Sequence, residues 1–167
     1  MNKSQKEIYE FIRSSVKLDI DLNSAWFLYN MRNTIAKYSL YDDMHYITQK
    51  TLNYLKANNI LREDNKLKRK LKGRKNRFTL EHNVPSRVVL KMIYDVRYDD
   101  KKIKEILEKT SVVTVLTYDE DKLIRDSGYQ SKMPEGWKLG DDVFARYRKS
   151  GVEVPTKMIE VYGAVYR

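Results

Sequence analysis

Cysteine is absent from the 167 residues of this chain, which excludes disulfide bonds and thiolate metal sites. Glycine and proline are scarce, and the sequence contains neither a glycine-rich phosphate loop nor a serine nucleophile elbow. Only two histidines are present. Any catalysis would therefore depend on a serine, or on aspartate and histidine.

Long apolar runs are missing as well. No run approaches the roughly 18 residues that a membrane-spanning helix needs, and the chain does not open with a signal-peptide pattern. We expect a cytoplasmic protein without a membrane partner. Frequent lysine, asparagine, isoleucine and tyrosine indicate an AT-rich bacterial or phage genome.

Positive charge is present in excess and is concentrated in one short segment. The net charge is +10, and residues 66–77 contain eight cations and no acid. We call these residues the basic segment: Lys66, Lys68, Arg69, Lys70, Lys72, Arg74, Lys75 and Arg77. Because so dense a block favours a polyanionic partner, we predict that it binds nucleic acid, and DNA in particular; a merely solvated surface is the alternative.

Residues 1–72 are predicted to be largely helical, because apolar residues recur there at helical spacing. The predicted helices cover 4–17, 24–38 and a third stretch from Asp42 or Asp43 to Asn58. A strand at 60–62 and a return strand at 66–71 would form a basic hairpin. Three helices followed by such a hairpin resemble a winged-helix DNA-binding module with residues 47–55 as the recognition helix. A plain helical bundle with a hairpin is an equal alternative.

Residues 73–167 are predicted to form a second part, in which strands and helices alternate and an irregular tail follows. The predicted strands are 77–81, 111–116 and 159–166, and the predicted helices are 86–94, one from Asp99 or Asp100, 117–128 and 143–148. Thr117 and Glu120 have the spacing of a helix capping box. The expected fold class is α+β.

The sequence Glu81-His82 is the most suggestive pair for chemistry. It ends a predicted strand, directly after the basic segment and before a proline turn. An imidazole can take a proton from water, and a carboxylate can hold a hard divalent cation beside a phosphate. The alternative is an ordinary polar pair at a strand end. His45 falls in a helical pattern and is interpreted as a surface or packing residue.

Residues 80–85, Leu-Glu-His-Asn-Val-Pro, resemble the first motif of the HNH (His-Me finger) endonucleases. The resemblance implies a ββα-metal core in which His82 is the general base and Glu81 binds Mg²⁺ or Mn²⁺. The matching second strand and helix would be 112–116 and 117–125, with Asp121 or Asp119 as the last ligand. This sequence departs from the family in having aspartate at that position, two helices between the strands, and no clear asparagine for the middle position apart from Asn83.

Two functions follow from these observations. The leading one is a small metal-dependent endonuclease of phage or mobile-element type that acts on nucleic acid. The alternative is a non-catalytic DNA-binding protein, either a winged-helix regulator or a phage factor that blocks a host enzyme. A homodimer is compatible with either.

Several aromatic side chains would either stack on bases or belong to the apolar core: Tyr94, Tyr98, Trp137, Phe144 and Tyr147. Arg146 and Arg148 would either contact phosphate or lie on a solvated helix face.

Overall fold

The computed structural model describes residues 1–18, 24–69 and 77–163. The helices in these ranges are α1 (Lys3–Ser15), α2 (Ala25–Leu40), α3 (Gln49–Ala57), α4 (Ser86–Asp95), α5 (Asp100–Thr110), α6 (Tyr118–Asp126) and α7 (Ala145–Ser150). The strands are β1 (Met44–Ile47), β2 (Leu67–Lys68), β3 (Phe78–His82), β4 (Val113–Thr117) and β5 (Lys157–Tyr162).

The described strands form one mixed sheet in the order β2-β5-β1-β4-β3. The pairs β1–β4 and β2–β5 are parallel, whereas β1–β5 and β3–β4 are antiparallel. Helices and strands both contribute to the structure, and the predicted α+β class is confirmed. Strands from both predicted parts share this sheet, and the predicted boundary between residues 72 and 73 lies outside the described residues.

Four helices, α1, α2, α4 and α5, pack into a layer with its own apolar core. Their inward positions recur at helical spacing, so that each helix buries one stripe. The core includes Ile12, Met31, Ile35, Ile93 and Leu107, all at most 3% exposed. None of the described helices combines the length and the apolar character needed to cross a membrane.

Strand β4 is buried along its whole length, because both faces of the sheet are covered there. Val113 and Val115 join the core that also contains Leu55 of α3, whereas Leu116 joins the core under α6 and α7. Thr117, the last residue of β4, caps α6 and forms a capping box with Glu120. That predicted cap is confirmed, and it fixes where α6 begins relative to the sheet.

The predicted third helix begins too early. Residues 44–47 form a strand between β4 and β5, with His45 and Ile47 buried and Met44 exposed. That alternation is the strand period, and pairing on both sides outweighs the local helical pattern. Of the predicted recognition helix, residues 49–55 lie in α3, Thr48 caps it and Ile47 ends β1. Residues 60–62 are not a strand, and β2 pairs with β5 rather than with them.

Candidate active site

The predicted strand pair beside Glu81 and His82 is confirmed. β3 and β4 are antiparallel neighbours, with Thr79 opposite Leu116 and His82 opposite Val113. α6 follows β4 without a break. The intervening helices α4 and α5 join the helical layer and leave the pairing intact. The order strand, strand, helix that the HNH resemblance implies is therefore present.

A polar cleft of about 320 Å³ lies beside the end of β3, which is the last strand in the sheet order. We call it the β3 cleft. Its ionisable lining comes from four elements: Glu81 and His82 from β3, Asp121 from α6, Arg32 from α2 and Arg87 from α4. Three of the predicted site residues thus meet in one place, although they are up to 40 positions apart in sequence.

His82 is oriented by a backbone group of α2. Its Nε2 lies 2.9 Å from the carbonyl oxygen of Ala36. Because a carbonyl can only accept, Nε2 must carry the proton, and Nδ1 is then the basic nitrogen of the neutral ring. A histidine held in this way has a defined tautomer, which general-base catalysis requires.

Glu81 is ion-paired with Arg146, a side chain that is 0% exposed. The same guanidinium also donates to the carbonyls of His82, Asn83 at 2.8 Å and Tyr129 at 2.9 Å. A buried arginine is costly unless its donors are satisfied, and here the end of β3 supplies most of the acceptors. Arg146 therefore fixes both the Glu81 carboxylate and the backbone that carries His82.

Asp121 is the carboxylate of α6 that reaches the β3 cleft, with a side chain that is 25% exposed. Burial raises its pKa, and the negative charge of Glu81 raises it further, while Arg125 and Arg146 act in the opposite direction. A cation near both carboxylates would offset the repulsion between Asp121 and Glu81. Asp119 is exposed and does not line the cleft, so the geometry favours Asp121 over the alternative ligand.

Nowhere in the described part of the chain do three histidine, aspartate or glutamate side chains form a group that could hold a metal ion. The β3 cleft offers two carboxylates, Glu81 and Asp121, one of which is already paired with Arg146. Mg²⁺ is commonly bound through one or two carboxylates, with water and substrate phosphate as its remaining ligands. The donor set therefore suits Mg²⁺ and does not suit a metal held by protein ligands alone.

Asn83, the weak candidate for the middle HNH position, is fully buried. Its Oδ1 accepts hydrogen bonds from Thr114 at 2.8 Å and from Tyr147 at 3.2 Å. These bonds join β3, β4 and α7 below the cleft. The Oδ1 atom of Asn83 is therefore used to join elements of the fold.

His45 lies on β1, not on a helix, and is 1% exposed. Burial, with Arg69 and His82 as smaller contributors, lowers its pKa to about 3. The ring is therefore neutral near pH 7 and packs in the interior. Its interpretation as a packing residue is confirmed, and His82 is the histidine at the cleft.

The basic segment is only partly described, and one of its residues is wrongly assigned. Arg69 is 2% exposed and donates to the carbonyls of Leu40, Asp42 and Val161, so it stabilises the fold and is not placed to bind nucleic acid. Lys66 pairs with Glu160 at 2.9 Å, Lys68 is half-buried and Arg77 is exposed. The remaining predicted contacts lie outside the described residues: Lys70, Lys72, Arg74 and Lys75.

Sequence reasoning missed Arg32 and Arg87 and misread Arg146. Arg87 follows Pro85 by two residues, so its closeness to His82 in the sequence was a signal that it could lie near the site. Arg32 lies about fifty residues before His82 in a helix, and no local signal indicates its role. Arg146 was assigned to phosphate or to a solvated face, but it is fully buried; Arg148, two residues later, is exposed and pairs with Asp142 at 2.9 Å.

Comparisons of the chain with family models, with curated proteins and with solved structures find no match. The geometry of the β3 cleft is therefore the main indication of its function.

Proposed function

We propose that this chain is a metal-dependent endonuclease that hydrolyses phosphodiester bonds in nucleic acid, with DNA as the first substrate to test. The observation that carries the proposal is the meeting of an oriented histidine, two carboxylates and two arginines in the β3 cleft. Hydrolysis of a phosphodiester needs a base for water and positive charge for the phosphate, and this cleft supplies both.

His82 acts as the general base. The Ala36 carbonyl orients the ring through Nε2, and the imidazole takes the proton from the attacking water. The ordinary pKa of an imidazole lies near neutrality, which suits proton transfer at pH 7. The buried His45 cannot replace it, because its pKa is lowered to about 3.

Glu81 and Asp121 would hold the divalent cation, Mg²⁺ or Mn²⁺. When bound, such an ion neutralises charge on the phosphate and on the leaving oxygen. Arg146 orients Glu81 through its ion pair, and the capping box at Thr117 positions α6 and thus Asp121. Glu81 lies in β3 and Asp121 in α6, so both carboxylates are carried by regular elements and not by loop tips.

Arg32 and Arg87 bind the phosphate. Both line the cleft, and no carboxylate among the described residues pairs with either of them. Ser86 and Arg87 form the first turn of α4, where the helix dipole also favours an anion. A phosphate in the cleft would therefore meet two guanidinium groups and a helix N-terminus.

The metal role is tested with the two aspartates of α6. We expect Asp121→Asn to shift the Mg²⁺ and Mn²⁺ dependence of plasmid nicking to higher concentration, because one anionic ligand is lost. Asp119→Asn, which removes the same charge two positions away on an exposed site, should titrate like the wild type. Wild-type protein with EDTA is the blank for both.

Equal metal titrations for the two variants would contradict the assignment of Asp121. Wild-type protein that nicks neither DNA nor RNA with any divalent ion would favour the alternative of a non-catalytic nucleic-acid-binding protein. The ion pair of Glu81 with Arg146 is the observation that favours this alternative, since it occupies one carboxylate oxygen.

The basic segment is proposed to hold the nucleic-acid backbone outside the cleft. Replacement of Lys68, Lys70 and Lys72 by alanine should weaken DNA binding and make its salt dependence less steep, because fewer counterions are released. Arg69 is left unchanged because its burial would confuse binding with stability. The matched control is the triple alanine variant of Lys101, Lys104 and Lys109 on α5. If both variants bind DNA like the wild type at every salt concentration in an anisotropy titration, the basic segment is not the binding element.

A further inference from the structure

A second groove adjoins the β3 cleft, between α2 and α4. Its volume is about 550 Å³, within the range of roughly 300–1,000 Å³ that is usual for small-molecule pockets. Its apolar walls are Phe27 and Leu28 from α2 and Leu90 from α4. Arg32 and Arg87 line both the groove and the cleft, so the two adjoin at these arginines. We call it the α2–α4 groove.

The α2–α4 groove is lined by three cations and no acid: Arg32, Arg87 and Lys91. No ion pair among the described residues involves any of the three. Arg87 and Lys91 are four positions apart on α4, where like charges repel and destabilise the helix. An anionic ligand would relieve this repulsion, and an uncharged apolar partner would not.

Tyr94 adds an aromatic ring to the lining of the groove, one helical turn after Leu90. The guanidinium of Arg97 lies over this ring, 4.5 Å from its centroid. The contact covers one face of the ring and holds the ring in position, which leaves at most its other face for a planar ligand. The groove thus combines an aromatic ring, aliphatic walls and three cations that form no ion pair with a described residue.

We propose that the α2–α4 groove binds an unpaired nucleobase next to the phosphate in the β3 cleft, so that the preferred substrate is single-stranded or locally unpaired DNA. This inference rests on the proposed nuclease function, because it places the base beside the bond that is cleaved. A nucleotide has both a flat, largely apolar base and an adjacent phosphate, which matches the apolar walls and the shared arginines. A base that is paired and stacked in a duplex presents only its edges and cannot enter such a groove.

The inference is tested by binding without cleavage. Anisotropy of a short fluorescein-labelled single strand of mixed sequence is measured in EDTA, against the same strand annealed to its complement. We expect Tyr94→Leu to weaken binding of the single strand by about five-fold or more while duplex binding changes little, and Tyr94→Phe to bind like the wild type. Lys91→Ala should weaken single-strand binding and lower its salt slope by about one.

Two controls match these changes on other surfaces. Tyr54→Leu replaces a half-buried tyrosine of α3, and Lys101→Ala replaces an exposed lysine of α5; both should bind the single strand like the wild type. Circular dichroism and thermal melting confirm that each variant is folded. Weaker binding of the single strand by Tyr94→Leu and Lys91→Ala, but not by the two controls, supports the α2–α4 groove as the binding site.

The experiments distinguish failure of the base-binding proposal from failure of the nuclease proposal. If Tyr94→Leu and Lys91→Ala bind the single strand like the wild type, or if the enzyme cleaves only duplex DNA, the groove proposal is overturned while metal-dependent cleavage stands. If single-strand binding depends on Tyr94 and Lys91 but no divalent ion supports cleavage, the groove is supported as a binding site and the nuclease proposal fails.

Discussion

His82→Ala is expected to lower the rate of plasmid nicking by about 10²–10⁴-fold, the usual loss when a general base is removed. Water is a poor nucleophile at neutral pH, and an imidazole is the side chain whose ordinary pKa suits its deprotonation. His82 is the histidine at the β3 cleft, and its tautomer is set by the Ala36 carbonyl. Nicking is measured at saturating Mg²⁺ with the conversion of supercoiled to open-circular plasmid.

The same variant should bind DNA nearly as well as the wild type, because the ring makes no phosphate contact in this proposal. His45→Gln is the matched control: it also removes an imidazole, but one that is buried and remains neutral near pH 7. Its rate per folded molecule should equal that of the wild type, with the folded fraction taken from a thermal melt. A His82→Ala protein that nicks plasmid at the wild-type rate would show that the activity belongs to another residue or to a contaminating nuclease.

Arg146→Met is expected to reduce the free energy of unfolding by about 3–5 kcal/mol, the usual cost of removing one partner of a buried ion pair. The change leaves the Glu81 carboxylate without its cation and three carbonyl oxygens without a donor: those of His82, Asn83 and Tyr129. For a chain of this size the melting temperature should fall by roughly 6–20 °C. Arg146→Lys should be intermediate, because lysine keeps the charge but cannot form the same planar set of bonds.

Arg148→Met is the control for this measurement, since Arg148 lies two residues further on and its ion pair with Asp142 is exposed. Exposed pairs contribute less than about 1 kcal/mol, so the control should melt close to the wild type. Chemical denaturation followed by circular dichroism measures both variants. Equal unfolding free energies for Arg146→Met and Arg148→Met would mean that the buried network does not stabilise the end of β3.

Local patterns were sufficient for most of the secondary structure. The helical spacing of apolar residues predicted α1, α2, α4 and α5, the capping box at Thr117 predicted α6, and the runs around Leu80 and Val115 predicted β3 and β4. These elements follow the sequence because each has one dominant apolar period and a capping or turn residue at its end. β1 was missed because its four residues lie within a longer helical pattern, and its strand state depends on β4 and β5 on either side.

The candidate site was predictable only in part. Glu81 and His82 were found because they are adjacent and end a strand, and the capping box located the start of α6. The choice between Asp121 and Asp119 could not be made from spacing, because it depends on which side of α6 faces β3. The resemblance to the HNH family stays a prediction, because no family model, curated protein or solved structure matches the chain.

The amino-acid sequence by itself determined the α+β class, the concentration of positive charge in residues 66–77 and the place of Glu81 and His82 at the end of a strand. These properties depend on composition and on neighbours within a few positions. Only the tertiary structure decided that Arg146 and Arg69 are buried, that Arg32 and Arg87 meet His82, and that Asp121 shares its cleft. An arginine has the same local pattern whether it binds phosphate or a buried carbonyl. Its role is decided by the distant backbone groups that the fold brings against it, which short-range periodicity does not encode.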